Sequence, residues 1–202
     1  MKILIGCEFS GIVREAFKAK GHDAWSCDLL DTEIPGNHIK GDILEVLNDG
    51  WDLGIFHPPC TYLARVAIQH NKKPGRLELR EKAIIFFLKL KNANINKIVI
   101  ENPRPQQYVW EKVGKWDQVI QPYYFGDTFS KATCLWLKNL PKLEHFKEDD
   151  LFEKNTHVDR GEFYKNKNGR TNAKWYSCNK KERSRTFQGI ADTMANQWNF
   201  QQ

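Results

Sequence analysis

Short apolar runs alternate with segments of helical spacing along the first half of the chain. After the run KILIG, apolar residues at Ile12, Val13, Ala16, Phe17 and Ala19 recur at the intervals of an amphipathic helix. Further strands are predicted from HDAWSCD, HIKGDI, WDLGIF and KIVIENP, and helices from ILEVLN and RLELREKAIIFFLKLKNAN. This alternation predicts an α/β fold whose doubly wound, mostly parallel sheet is covered on both faces.

The second half of the chain is less regular. The runs WDQVI and TCLWLKNL predict two more strands, and TFQGIADTMANQW predicts a closing helix at about 186–198. Between them, at about 150–185, lies a basic, loop-rich insertion. A length of 202 residues without an internal repeat suggests one domain, 1–202.

Composition narrows the class of protein. Apolar residues make up 41% of the chain, charged residues 28%, and the mean hydropathy is -0.63, which is typical of a soluble globular protein. The apolar runs are too short for a membrane span or a signal peptide, so a cytoplasmic location is expected. Five scattered cysteines without a C-x-x-C pair argue against a disulfide framework and against a metal site.

Acidic and nucleophilic residues follow the predicted strands one after another. Asp28, Asp42, Cys60 and Glu101 each come at or just after a strand end, and Ser10 and Gly11 form the turn after the first strand. Ligands of doubly wound sheets bind outside the carboxyl ends of the strands. This edge of the sheet is therefore the predicted functional site.

The first three turns favour a nucleoside cofactor. Gly11 lets the backbone approach a ligand, Asp28 lies where such folds bind ribose hydroxyls, and Asp42 has an acceptor for an adenine amino group. Considered one at a time, Gly11 is also consistent with an ordinary turn, and each aspartate with a solvated loop carboxylate. Glu8 would repel a phosphate and suits a cationic cofactor, which points to S-adenosylmethionine rather than a dinucleotide.

Cys60 is the candidate nucleophile. Pro58 and Pro59 form a stiff arm that holds the thiol at a strand tip, where His57, Arg65 or a helix N-terminus could lower its pKa. Glu101 ends the next strand, so it is expected beside Cys60 as a general acid or base. The structural alternatives are a small buried hydrophobe for a cysteine and a capping or ion-pairing role for the glutamate.

Four features follow one another along the chain: FSG, the aspartate after the second strand, PPC and EN. In this order and spacing they make the chain resemble the DNA (cytosine-5) methyltransferase family. QPYYFGDTFSKATCLWLKNLP and RSRTFQGIADTMANQW resemble its short phage and prophage members, which have no evident target-recognition domain. The resemblance implies a class I S-adenosylmethionine-dependent methyltransferase with a Rossmann-like fold. Its substrate would be duplex DNA with a flipped cytosine.

The resemblance also implies roles for individual residues. Cys60 would attack carbon 6 of cytosine, Glu101 would hydrogen-bond ring nitrogen 3, and carbon 5 would receive the methyl group. Asn102 would support the turn or contact the substrate. The residues implied to bind the cofactor are Phe9, Ser10, Gly11, Asp28, Asp42 and Pro58. Three departures stand out: Val13 replaces the usual second glycine, ENP replaces ENV, and no Q-x-R-x-R segment is present, although Lys131 and Thr133 can fill part of its role.

The insertion carries most of the positive charge. Between Lys154 and Arg185 ten Lys or Arg face three acidic residues, and aromatic residues are interspersed. This composition favours binding to nucleic acid, with Arg183 and Arg185 as phosphate contacts. Arg65, outside the insertion, is expected near the substrate. Two other functions stay open: one-carbon transfer to a free pyrimidine nucleotide, and a catalytically silent decoy that binds nucleic acid or cofactor. The oligomeric state is not predicted.

Overall fold

A computed structural model describes residues 1–127, 130–145, 163–165, 169, 171–173 and 180–200. Seven strands form one sheet in the order β3-β2-β1-β4-β5-β7-β6. The strands are β1 (Lys2–Gly6), β2 (Asp23–Asp28), β3 (His38–Lys40), β4 (Leu53–Phe56), β5 (Lys97–Pro103), β6 (Gln118–Ile120) and β7 (Thr133–Lys138). Neighbouring strands from β3 to β5 are parallel, whereas β7 is antiparallel to both β5 and β6.

The helices lie on both sides of this sheet. They are α1 (Ile12–Lys18), α2 (Ile43–Val46), α3 (Arg76–Lys91), α4 (Gln107–Val113), α5 (Lys180–Arg183) and α6 (Gln188–Gln197). Two short 3-10 segments span Arg65–His70 and Pro122–Phe125, and β8 (Phe163–Lys165) pairs with β9 (Thr171–Ala173) in a separate hairpin. No helix in the described part of the chain has the length and apolarity to cross a bilayer.

Alternation along β1 divides the core into two layers. Leu4 packs with Ile84 and Phe87 of α3 on one face, whereas Ile3 and Ile5 pack with α1 and α6 on the other. Successive side chains of a strand point to opposite faces, so a run that is apolar throughout requires cover on both. The sheet is therefore doubly wound.

The predicted fold class is confirmed. The order extends the 3-2-1-4-5 arrangement of Rossmann-like folds, with an antiparallel β7 before the edge strand. All seven strands of the main sheet lie where the apolar runs predict them, and the closing helix forms at 188–197. Helix α4, the 3-10 segments, the β8–β9 hairpin and α5 were not predicted.

Much of the predicted insertion lies outside the described residues. This applies to 146–162, 166–168, 170 and 174–179, and so to Lys154, Arg160, Lys167, Arg170 and Lys174 among its cations. Cys178 and the aromatic residues Trp175 and Tyr176 also lie outside them. The placement of the segment between Lys154 and Lys174 on nucleic acid stays a prediction.

Candidate active site

The carboxyl ends of β1, β4 and β5 meet at the centre of the sheet. Phe56 at the end of β4 pairs with Gly6 of β1 on one side and with Ile100 of β5 on the other. The next backbone amide, that of His57, donates to the carbonyl oxygen of Gly6 at 2.9 Å. Parallel register therefore brings Glu8 and His57, which follow β1 and β4, to the same edge as Glu101 near the end of β5.

The Pro-Pro-Cys turn is tied to β5 by a buried amide. Asn102 is 2% exposed, and its Nδ2 donates to the carbonyl oxygen of Pro58 at 2.7 Å. Two residues further on, the carbonyl oxygen of Cys60 accepts from the amides of Leu63 and Ala64 at 3.0 and 2.9 Å. Proline has no amide hydrogen of its own, so the turn depends on these outside contacts. They hold Cys60 at the surface, where it is exposed.

Cys60 differs from the other described cysteines in its surroundings. Cys27 and Cys134 are buried, and burial raises their pKa to about 11 and about 12. Burial also raises the pKa of Cys7 well above its ordinary value. A thiol that resists ionisation is a poor nucleophile. Exposure therefore favours Cys60 as the reactive thiol of this group.

Glu101 is paired with His57. The two lie on adjacent strands, and Nδ1 of His57 is 2.8 Å from Oε2 of the carboxyl group. Burial acts to raise the pKa of Glu101, but the hydrogen bond from His57 and the charge of Lys131 outweigh it, and the pKa falls to about 2. A hydrogen bond from Thr133 lowers the pKa of Glu101 further. Glu101 is thus ionised at neutral pH.

The predicted residues Lys131 and Thr133, just before and at the start of β7, both act on this carboxylate. The register places Glu101 opposite Leu135 and Pro103 opposite Thr133, so the start of β7 runs alongside the end of β5. Thr133 is 1% exposed, and its hydroxyl, which has one hydrogen for either acceptor, lies 3.1 Å from the carbonyl oxygen of Lys131. The structure therefore places Lys131 and Thr133 beside Glu101.

Gln106 is a structural residue that the sequence did not reveal. It is 2% exposed, and its Nε2 donates to the carbonyl oxygen of Tyr62 at 3.0 Å. Its Oε1 accepts from Asn71 at 2.8 Å, and the amide of Arg65 donates to the carbonyl oxygen of Arg104 at 2.8 Å. These bonds fasten the segment after Cys60 to the loop after β5. The side chain of Arg65 remains exposed on that segment.

Cations stacked on aromatic rings surround the segment after Cys60. Arg76 lies 4.3 Å from the ring of Tyr62, and Arg80 lies 4.1 Å from the ring of Tyr108. Arg76 also donates to the carbonyl oxygen of Thr61. Between 65 and 80 the chain has five Lys or Arg, namely Arg65, Lys72, Lys73, Arg76 and Arg80, against Glu78. A second basic surface, which the sequence analysis missed, thus lies next to the thiol.

The turn after β1 is closely packed. Phe9 and Ser10 are 6% and 2% exposed, and Gly11 has a φ of 78°. This left-handed conformation suits glycine. Oε1 of Glu8 accepts from the amide of Val13 at 2.7 Å and from the hydroxyl of Ser10 at 3.2 Å, which ties the turn to the start of α1. Burial raises the pKa of Glu8, and the charge of His57 partly opposes this.

The two predicted cofactor aspartates cap their own loops. Oδ1 of Asp28 accepts from the amide of Leu30, and Oδ1 of Asp42 accepts from the amide of Leu44, both at 2.9 Å. Within the described residues the second oxygen of each carboxylate makes no hydrogen bond. Two such acceptors at the ends of β2 and β3 fit the hydroxyl and amino donors of S-adenosylmethionine.

The loop after β2 rests on a buried arginine. Arg14 of α1 is fully buried, and its guanidinium donates to the hydroxyls of Ser26 and Thr32 at 2.9 and 3.2 Å and to the carbonyl oxygen of Ile34 at 2.5 Å. A charged side chain without exposure is rare unless such bonds satisfy it. Arg14 thus fixes the loop that follows Asp28.

Arg183 and Arg185 lie on the far side of that loop. Both oxygens of Glu33 bind Arg185, at 2.8 Å each, and Lys181 lies 2.9 Å from the same carboxylate. The carbonyl oxygen of Arg183 accepts from Lys131 at 3.4 Å. The cations before α6 are thereby linked to the Glu101 side of the site through Lys131, while Arg185 is engaged within the chain.

Comparisons with known proteins add little to this geometry. No protein-family model matches the chain, and no curated protein matches it. Among solved structures it is similar to a crystal structure from E. coli described as a DNA modification methyltransferase encoded within a prophage, at 14% identity and a TM-score of 0.44. The match covers 67% of this chain and 45% of that one. Function is therefore inferred from the chain's own residues.

Proposed function

We propose that the protein is a DNA (cytosine-5) methyltransferase that uses S-adenosylmethionine and forms a covalent adduct through Cys60. The observation that carries this proposal is the pair of bonds between neighbouring strand ends. His57 bonds Glu101 at 2.8 Å, and Asn102 bonds the carbonyl of Pro58 at 2.7 Å. These bonds tie the turn that carries the exposed thiol of Cys60 to the strand that carries the mostly buried carboxylate of Glu101, and attack on a cytosine ring would use such a pair.

In this mechanism Cys60 adds to carbon 6 of cytosine, and the ring gains electron density at carbon 5 and nitrogen 3. Glu101 faces the Watson–Crick edge, where it accepts from the exocyclic amino group and shares a proton with nitrogen 3. S-adenosylmethionine supplies an electrophilic methyl group for carbon 5 when it is bound. Transfer of the carbon 5 proton to solvent water then re-forms the 5,6 double bond as the carbon–sulfur bond breaks, which releases the thiolate of Cys60.

The residues around this pair would bind the substrate. Lys131 and Thr133 adjoin Glu101, so they are placed to contact the flipped base or its phosphate. Arg65 and the other cations of 65–80 lie on the Cys60 side and would bind DNA phosphates. Arg183 would add a phosphate contact, and Arg185 would do so after leaving Glu33. Asn102 would act on the substrate through the turn, because its Nδ2 donates to the carbonyl oxygen of Pro58.

The cofactor would bind across the ends of β1, β2 and β3. Asp28 would accept from the ribose hydroxyls and Asp42 from the adenine amino group, each with the oxygen that does not cap its loop. Leu29 and Leu30 are 72% and 52% exposed beside Asp28 and offer apolar surface for the adenine ring. Phe9, Ser10, Gly11 and Pro58 would line the methionine side. The whole chain, 1–202, would act as a single domain.

The test is methyl transfer from labelled S-adenosylmethionine to three acceptors: duplex DNA, single-stranded DNA and free cytosine nucleotides. Wild-type protein is expected to label 5-methylcytosine in duplex DNA. Cys60→Ser is expected to abolish transfer, whereas Cys178→Ser serves as the control for replacing a thiol. If label appears only in free nucleotides, the same reaction acts on a substrate smaller than duplex DNA. Undiminished transfer by Cys60→Ser would refute the adduct, and absence of transfer to every acceptor would refute the activity.

A further inference from the structure

The carboxylate of Glu33 contacts cations from a distant part of the chain. Its Oε2 and Oε1 accept from Nε and Nη2 of Arg185, both at 2.8 Å, and Nζ of Lys181 lies 2.9 Å from Oε1. The side chains of Arg185 and Lys181 are 41% and 58% exposed, whereas that of Glu33 is 24% exposed. Both cations therefore remain open to a solute while they contact the carboxylate.

Glu33 is fixed by its backbone, independently of these cations. Its amide donates to the carbonyl oxygen of Phe9, in the turn after β1, at 2.8 Å. The buried Arg14 donates to the hydroxyl of Thr32 and to the carbonyl oxygen of Ile34, the residues on either side. We therefore expect this loop to keep its place when the carboxylate of Glu33 is neutralised.

The contact has the geometry by which arginine recognises phosphate. A planar guanidinium donates two parallel N–H bonds to two oxygens of a carboxylate, and it binds two oxygens of a phosphate in the same way. A neighbouring ammonium group adds a second positive charge for the same anion. The carboxylate of Glu33 thus occupies the place of a phosphate between Arg185 and Lys181.

A DNA phosphate has an advantage over this carboxylate. Partly exposed ion pairs within a protein stabilise it only slightly, because water screens both charges. When cations neutralise DNA phosphates, condensed counterions are released, which strengthens binding at low salt. The internal ion pair is therefore weak enough for DNA to replace, yet it opposes DNA binding by the free energy needed to break it.

The segment that carries these cations also contacts the Glu101 side of the site. The carbonyl oxygen of Arg183, which lies between Lys181 and Arg185 in sequence, accepts from Lys131 at 3.4 Å. The charge of Lys131 in turn acts on the carboxylate of Glu101. A phosphate bound to this segment is therefore expected to belong to DNA that lies near the target base.

We propose that Lys181 and Arg185 form a binding site for a phosphate of the DNA backbone, which Glu33 occupies in the free protein as an internal counterion. This inference rests on the proposed function, because DNA is the source of the phosphate. When DNA binds, the phosphate replaces the carboxylate between the two side chains, and no covalent bond changes. Glu33 thus weakens DNA binding, although it holds both cations in the arrangement that phosphate requires.

Titration of Glu33→Gln with duplex DNA, without cofactor, tests this inference. Glutamine keeps the length of the side chain and removes its charge, so the affinity is expected to rise about fivefold at low salt. Asp31→Asn is the matched control, because it removes the same charge from the same loop, where Asp31 contacts Lys40 at 2.9 Å. The control should stay within about twofold of wild type, since its charge is screened from the site. Unchanged or lower affinity of Glu33→Gln, or an equal gain in both variants, would overturn the site.

A double-mutant cycle shows whether the gain acts through the two cations. In protein that carries Lys181→Ala and Arg185→Ala, adding Glu33→Gln should change the affinity for duplex DNA by no more than about twofold. Melting temperatures near that of wild type establish that each variant is folded. The full gain in this background would assign the effect to net charge and overturn the site.

Wild-type protein provides a measurement that needs no stable variant of Glu33. In protein labelled with 15N-arginine, the Nε signal of Arg185 is assigned by its loss in Arg185→Lys. This signal should shift on saturation with duplex DNA, because the acceptor changes from a carboxylate to a phosphate. A signal that stays in place would overturn the site. A shift with a cytosine mononucleotide alone would overturn DNA as the source of the phosphate.

Failure of the phosphate site and failure of the proposed function give different results. Wild-type protein that methylates DNA, with no gain of affinity in Glu33→Gln, removes the phosphate site alone. Wild-type protein that transfers no methyl group to any acceptor, with the gain of DNA affinity in Glu33→Gln, removes the proposed activity and keeps the phosphate site.

Discussion

The two halves of the active edge are built differently. The proposed catalytic half consists of His57, Pro58, Cys60, Glu101 and Asn102, and its bonds join residues that lie 44 positions apart in sequence. The proposed cofactor half carries Asp28 and Asp42, whose carboxylates bond amides only two residues away. Long-range bonds between buried groups specify a geometry, whereas local caps specify only a loop.

This difference changes how far the structure supports each role. The bonds to the amides of Leu30 and Leu44 account for one carboxylate oxygen of Asp28 and one of Asp42. A purely structural role therefore explains these contacts. No such local account is available for the bond between His57 and Glu101, since it joins the end of β4 to β5 and leaves Nε2 of His57 without a partner among the described residues. We therefore expect substitutions in the catalytic half to lower activity or stability much more than substitutions in the cofactor half.

The largest effect is expected for Glu101→Gln. The amide cannot cycle a proton with the base, so kcat should fall by about 10² to 10⁴-fold, while the Kd for S-adenosylmethionine changes little. Single-turnover methylation and calorimetric cofactor binding measure the two quantities. Glu111→Gln on the exposed face of α4 is the matched control, and equal rates in the two variants would remove Glu101 from the chemistry.

Glu101 also predicts a pH dependence of folding. Its folded-state pKa of about 2 lies below the ordinary value of 4.5. Its contribution to the free energy of unfolding is therefore complete above pH 4.5 and is lost as the pH falls from 4.5 toward 2. Urea unfolding at a series of pH values should show a shallower acid loss for Glu101→Gln than for wild type. Parallel curves would contradict the depressed pKa.

A smaller loss is expected for Asn102→Ala, and it falls on stability as well as rate. Removing the buried donor leaves the carbonyl of Pro58 unpaired, which costs about 1 to 3 kcal/mol of unfolding free energy. Gln107→Ala removes an exposed hydrogen bond within α4 and should stay within about 0.5 kcal/mol of wild type. Similar denaturation midpoints for both variants would show that the Pro-Pro-Cys turn does not need Asn102.

In the cofactor half, Asp28→Asn separates capping from binding. Asparagine still caps the loop but offers one acceptor oxygen, so the Kd for S-adenosylmethionine should rise about tenfold, or about 1.4 kcal/mol, with unchanged folding. Asp31→Asn, on the same loop and exposed, is the control. An unaltered Kd in Asp28→Asn would leave the aspartate with its capping role alone.

The smallest effect is expected from the cations before α6. Arg183→Ala should weaken DNA binding and reduce the slope of log affinity against log salt by about one. Arg185→Ala should change the slope less, because Arg185 is already bound to Glu33 through both nitrogens that reach it. Titrations at several salt concentrations measure both slopes, and a salt-independent affinity would remove this segment from the interface.

The pattern of apolar residues was sufficient to predict the sheet, but it was insufficient to predict the short elements that support the site. Apolar runs such as KILIG and WDLGIF predict strands because burial on both faces leaves no polar position. Helix α4 was missed because its residues, QYVWEKV, follow a proline-rich stretch and bury only Val109 and Val113. Short elements of this kind are fixed by packing rather than by their own pattern.

Side chains that act across the fold were the hardest to predict. Arg14 reads as a surface residue of α1, and Gln106 as a loop amide, yet both are buried and bond several backbone or hydroxyl oxygens. Cys60 and Glu101 were recognised by their positions after strands. The pairing of His57 with Glu101 was not, because it depends on which nitrogen faces the next strand.

The most direct test of the central claim uses duplex DNA in which 5-fluorocytosine replaces cytosine. Fluorine takes the place of the carbon 5 hydrogen and cannot leave as a cation, so an adduct formed by the thiol should persist and be seen by mass spectrometry. The account predicts an adduct, dependent on S-adenosylmethionine, in the peptide that contains Cys60, and none with Cys60→Ser. An adduct on another residue, or one that survives Cys60→Ser, would contradict it.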